Sequence, residues 1–127
     1  MIAFIQQHEI EGVAFLSTDS HATLLNEVAV DLFTAPAAVA VELVAGPIAA
    51  TSYESQVVAF AGPFGLQVVD QWLTAIGIDC RNQNQNSYGL VEVLVGAGTL
   101  DLASNDQDGN LVFDSTNLGQ CTLSQGP

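Results

Sequence analysis

A period-two apolar run, Val28-Ala29-Val30-Asp31-Leu32-Phe33-Thr34-Ala35-Pro36, returns eleven positions later as Val39-Ala40-Val41-Glu42-Leu43-Val44-Ala45-Gly46-Pro47. Each copy carries an acidic residue at the same place and closes on a proline, which cannot continue a central strand. The pattern predicts two consecutive strands with a Pro-marked connection. Val28, Val30 and Leu32 then share one face, as do Val39, Val41 and Leu43, while Asp31 and Glu42 look the other way. A helix over residues 21–33 behind a Ser20 cap also fits Leu25, Val28 and Leu32, but the β-branched content favours strands. Two copies are too few for a solenoid.

Further strand signals recur at short intervals. Met1 to Gln6 and Gly12 to Leu16 read as strands around a break at His8-Glu9, and Gln56 to Ala61 reads as a strand running into a Gly62-Pro63 turn. The helical period appears once. Leu66, Val69, Trp72 or Leu73, and Ile76 recur at three- and four-residue steps, with Gly77 as the stop, which predicts a helix within residues 65–77 and a partly buried Trp72. Leu90 to Val95 and Thr99 to Ala103 resume strand character around Gly96-Ala97-Gly98. An Asp108-Gly109 turn then separates Thr99 to Ala103 from Leu111-Val112-Phe113. Arg81 to Asn86 reads as an uncharged polar loop apart from its arginine, and residues 123–127 as a loose tail. The expected fold is mainly β, a β-sandwich or β-barrel of short strands with one helix. It is expected to form a single domain over residues 1–127, with residues 1–7 as an edge strand or arm.

Charge narrows the function classes. Among 127 residues there are fourteen Asp and Glu against one Lys or Arg, for a net charge of −13, yet charged residues make up 12% of the chain. An average domain carries about 25%, so the deviation is missing cations rather than surplus acid. Nucleic acid is held through Lys and Arg on phosphates, and Arg81 alone argues against that partner, as against an anionic membrane surface. The longest apolar stretch, from Phe33 to Gly46, is interrupted by Pro36 and Glu42 and is too short to span a bilayer. The N-terminal sequence lacks the basic start of a signal peptide. The expected location is a virus particle, after synthesis in the host cytoplasm.

Candidate chemistry is sparse. Cys80 and Cys121 lack zinc-site spacing; a bridge between them would be worth about 4 kcal/mol in the chain-entropy model, but two free thiols are the expectation. Cys80 sits between Asp79 and Arg81, where a guanidinium can activate a thiol, yet no base is paired with it by spacing. Ser104, Asp106, Asp108 and Gly109 resemble half of a calcium loop, with Ser115 where the strong final ligand belongs; a solvated turn is the simpler reading. His8, Glu9, Glu11, Asp19 and His21 concentrate imidazole and carboxylate without a metal-binding spacing. Gly96-Ala97-Gly98 lacks the third glycine of a dinucleotide fingerprint, there is no lysine for a phosphate loop, and no nucleophile elbow occurs. No catalytic, cofactor or metal site is therefore expected.

What the sequence supports is a non-enzymatic structural protein acting in many copies, such as a capsid decoration, cement or tail protein. Its surface, poor in Lys and Arg, would have few charges to desolvate when it docks on itself or on a larger shell or tube. The alternative is a β-sandwich module that binds a glycan or peptide through residues 82–88 with Tyr88, or 52–56 with Tyr53.

Overall fold

A computed structural model describes residues 1–31, 33–46, 50–94, 98–116 and 119–126. Seven strands form two sheets. The first holds β1 (Ala14–Ser17), β2 (Thr23–Asp31), β3 (Ala35–Val44) and β4 (Cys80–Asn82) in the order β1-β3-β2-β4. The second holds β5 (Ser87–Leu94), β6 (Thr99–Asp106) and β7 (Thr122–Gln125) in sequence order. Two helices complete the chain, α1 (Ile2–Gln7) and α2 (Tyr53–Ala75). The architecture is mainly β and sandwich-like rather than a closed barrel.

The duplicated pattern forms an antiparallel pair, β2 against β3. After β2, Asp31 Oδ1 accepts the backbone N–H groups of Phe33 at 2.8 Å and Thr34 at 3.0 Å, just before β3 begins at Ala35. Pro36 thus lies near the start of β3, not in the turn. On β3 the expected face holds at the inner end, Val41 and Leu43 entering the core, but on β2 the core residue is Leu25, which pairs with Leu43, while Val28 pairs with Ala40 on the face that also carries Glu42. β3 is buried on both faces there, Ala40 and Val44 alternating with Val41 and Leu43. Alternation fails further out, because register shifts at Val28/Ala29 and Ala29/Asp31 twist the hairpin and leave Val30 and Phe33 exposed. Leu32, Val95 to Ala97 and the end of the second repeat at Pro47 lie outside the described residues.

The core is built where the sheets face each other. Leu25, Val41, Leu43 and Cys80 of the first sheet meet Leu100, Leu102, Val112 and Cys121 from the second half of the chain. Three further features close this seam. Cys80 and Cys121 are disulfide-bonded with Cα atoms 5.3 Å apart, which corrects the expectation of free thiols. The buried hydroxyls of Thr23, Ser87 and Ser104 bond to one another across the sheets, with Thr23 Oγ1 and Ser104 Oγ at 3.3 Å. Gly89 leaves room for Leu43: a Cβ there would stand 2.6 Å from Leu43 Cδ2.

Four other segments differ from the sequence reading. Residues 2–7 form α1, not an edge strand, and bury Ile5. Glu9 ends this turn at φ 51°. Gln56 to Ala61 belongs to α2, whose start is marked by Ser52 Oγ accepting the Ser55 N–H. Arg81, Asn82 and Gln83 are buried, and the first two lie in β4 rather than in a loop. Residues 122–125 pair with β6 instead of forming a loose tail. The Asp108-Gly109 turn is present, with Gly109 at φ 84° and a bridge between Asn105 and Leu111, although Leu111 to Phe113 makes isolated bridges rather than a full strand.

Candidate interaction surface

Helix α2 carries two acidic residues, Glu54 and Asp70, and no basic one over its 23 residues. A helix apolar on nearly all sides belongs inside a larger body or against a partner. Here Leu73 is its fully buried residue, whereas Phe60 is 95% exposed, Phe64 74% and Trp72 61%. These three, with the half-exposed Val68, recur at intervals of four along the chain. Trp72 was expected to pack beneath the helix. Leu73 takes the inward position, and Trp72 stands one residue round from it, toward solvent.

The middle of α2 is not continuous helix. Gly62 adopts φ 68° and ψ −177°, and Pro63 follows, so two helical segments meet at a kink. The Gly-Pro signal read as a turn in the sequence is this kink. The second segment ends as expected: Gly77 at φ 77° donates to Thr74 O at 3.2 Å, and Ile78 donates to Leu73 O at 3.2 Å.

A polar clasp fixes this second segment to β4. The Arg81 guanidinium, the one Lys or Arg side chain in the protein, is buried; its Nη2 donates to Thr74 Oγ1 at 2.9 Å and its Nε lies 3.4 Å from Asp70 Oδ1. Gln83 Nε2 donates to the same Asp70 oxygen at 2.7 Å. On its backbone side Arg81 donates N–H to Asp114 Oδ2 at 2.8 Å, and its carbonyl accepts from Ser115 N–H. The guanidinium thus serves as a structural tie rather than as part of a basic surface. The start of α2 is tied separately: Tyr53 N–H donates to His21 O, Glu54 N–H donates to Gln83 O, and His21 Nδ1 lies 2.7 Å from Thr51 O.

Between these ties lies a cavity of about 130 Å³, lined by Ala22, Leu24, Tyr53, Val69, Trp72 and Leu73, with Ser20 and Gln83 as its polar members. Gln83 is 2% exposed, and its Oε1 is buried without a hydrogen-bond partner.

The structure keeps the residues singled out in the sequence apart. His8 packs on Phe4 with ring centroids 4.2 Å apart, and His21 serves the α2 start. Glu9, Glu11 and Glu27 line a different hollow, of about 440 Å³, whose lining includes neither histidine. No group of three metal-ligating side chains occurs among the described residues. Asp106 is committed to its own turn, its Oδ1 accepting from Asp108 N–H and Asn110 N–H, both at 2.9 Å. These backbone donors, Asn110 first, hold its carboxyl below the ordinary value. Asp108 lines the adjoining hollow with Gln85 and Asn86. Cys80, in its disulfide, has no thiol to activate. Sequence reasoning missed the exposed apolar face; the fourfold spacing of Phe64, Val68 and Trp72 after Gly62-Pro63 was the signal that could have found it. No helix among the described residues is long and apolar enough to cross a membrane. Compared with protein-family models, curated proteins and solved structures, the chain matches none of them.

Proposed function

We propose that the protein is a non-enzymatic structural component that acts in many copies, docking through α2 onto itself and onto a larger protein shell or tube of the kind that forms a virus particle. The observation that carries this reading is the exposed row of Phe64, Val68 and Trp72 on the second segment of α2, with Phe60 exposed on the first, in a helix with almost no charge. Several large apolar side chains exposed on one element mark an interaction site. A molecule of net charge −13 repels its copies except where a charge-free face lets them approach. The disulfide supports the same reading, because such bonds persist on secreted proteins and virion surfaces.

Sedimentation velocity tests it. The wild-type protein is expected to self-associate in the micromolar range, and Phe60→Asp with Phe64→Asp to stay monomeric with an unchanged melting temperature. A wild-type monomer at millimolar concentration overturns the reading. For the virion assignment the expected gene neighbourhood contains capsid, protease or portal genes.

A further inference from the structure

The second sheet has one strand fewer than the first, and the shortfall is local. Across the sandwich, Leu43 of β3 lies against Gly89 of β5, Thr23 of β2 bonds to Ser104 of β6, and Cys80 of β4 is joined to Cys121. That leaves β1, the neighbour of β3 at the edge of the first sheet, as the strand without a counterpart. Leu16 shows the consequence. It pairs in register with Leu43 and so shares the face that carries the core, yet it is 62% exposed. Beside it a hollow of about 140 Å³ reaches β5, lined by Leu16, Ser17, Leu43, Ala45, Gly89 and Val91.

The backbone of β5 supplies the bonds for a further strand at this place. Ser104 of β6 turns both its backbone groups away from β5, its N–H donating to Cys121 O at 3.1 Å and its carbonyl accepting from Val112 N–H at 2.8 Å. Gly89 is the residue that pairs with Ser104, so the two form a wide pair of the antiparallel ladder, and the Gly89 N–H and C=O point away from β6. Val91, two residues on, points the same way. Among the described residues no segment pairs with this side of β5. The strand also lacks the devices that blunt an edge. It runs for 8 residues without Pro or Lys, and its pairing with β6 has no bulge. Its outward side chains, Tyr88, Leu90 and Glu92, are exposed and carry one charge, that of Glu92.

We propose that the free edge of β5 takes up an extended segment of a different polypeptide as a fourth, antiparallel strand, its inward side chains branched and aliphatic in the hollow beside Leu16, its outward ones including a Lys or Arg beside Glu92. Charge selects a foreign segment over a second copy: the single cation of this chain, Arg81, is buried, so only another protein can set a basic residue against Glu92. Shape selects it too. In a two-fold pair of β5 strands, β1 of each copy would collide with β3 of the other, because each first sheet extends one strand past the seam. This contact goes beyond the docking of α2, none of whose residues lines the hollow.

Amide hydrogen exchange on the intact protein, read by NMR, tests the edge together with fluorescence polarisation of a labelled peptide. The probe is a capped peptide of alternating valine and threonine with a lysine at each end. In the free protein the amides of Gly89 and Val91 are expected to exchange fast, and those of Leu90 and Glu92, which face β6, slowly; the peptide is expected to slow the first two. N-methylation of the valines, whose N–H groups would face β5, is expected to weaken binding roughly tenfold or more, the worth of at least one hydrogen bond, and N-methylation of the threonines to be tolerated. Glutamate in place of lysine is expected to weaken it. Leu16→Asp, at an exposed position outside the β5 ladder, is expected to weaken it roughly tenfold with the melting temperature held. Phe64→Asp lies on α2 and is expected to bind like wild type, so failure of the self-association reading leaves this test intact. Gly89 and Val91 amides that the peptide does not slow, equal tolerance of the two methylations, or binding indifferent to Leu16→Asp overturns the proposal. Protection of both amides without peptide, rising with protein concentration, gives the edge to a second copy and overturns it as well.

Discussion

Asp31 and Asp106 do the same work at two hairpin ends. Each carboxylate accepts backbone N–H groups of the residues that follow it, and each is held below the ordinary carboxyl value, chiefly by Phe33 N–H for Asp31 and Asn110 N–H for Asp106. A carboxyl whose folded pKa is lowered stabilises the fold fully above its unfolded value of 3.8, and that contribution is lost as pH falls through the lowered value. Acid should therefore loosen both turns below about pH 4. Asp106→Asn keeps an acceptor oxygen and removes the titration. Its melting temperature is expected to fall less than that of wild type between neutral pH and about pH 3, as scanning calorimetry would show.

At the scale of elements, the lesson is carried by α2. Its second half was legible because Leu66, Val69, Leu73 and Ile76 mark an inward stripe and Gly77 stops it. Its first half was not, because Gln56 to Ala61 is β-branched and apolar and Gly62-Pro63 imitates a strand end. Local pattern cannot distinguish a turn from a kink, since both use the same backbone freedom. Ser52 and Ser55 were the overlooked start signal. The mistaken N-terminal strand has a related cause: six residues hold too little periodicity to separate α1 from a strand. The buried Arg81, Asn82 and Gln83 were illegible for a different reason, their partners Asp70, Thr74 and Asp114 being supplied by tertiary structure. Gly62 gives the element its test. No atom stands within 4 Å of a Cβ built there, so Gly62→Ala carries a backbone cost alone. With φ at 68° and ψ at −177°, a region open essentially to glycine, that cost is about 1–3 kcal/mol, measurable by urea denaturation.

Across the whole molecule, the sandwich is closed by a small core and one covalent bond. Cys80 and Cys121 lie 41 positions apart and join the last strand of the first sheet to the segment leading into β7. A loop of that length contributes about 4 kcal/mol in the chain-entropy model, a large share of an ordinary stability of about 5–15 kcal/mol. The double variant Cys80→Ala, Cys121→Ala is expected to lose about 2–5 kcal/mol by guanidinium denaturation, and reducing agent is expected to lower the wild-type midpoint likewise. An unchanged midpoint contradicts the bridge. Both cysteines follow α2 in the chain, whereas β1, β2 and β3 precede it. The exposed kink at Gly62-Pro63 therefore divides the polypeptide into two pieces of almost equal length, the second closed by its own covalent ring and supplying β4 to the first. Severed at the kink, the halves would have the β2–β4 pairing and the shared core as their means of finding each other, and their reassociation as separate fragments is expected to read out the strength of that seam.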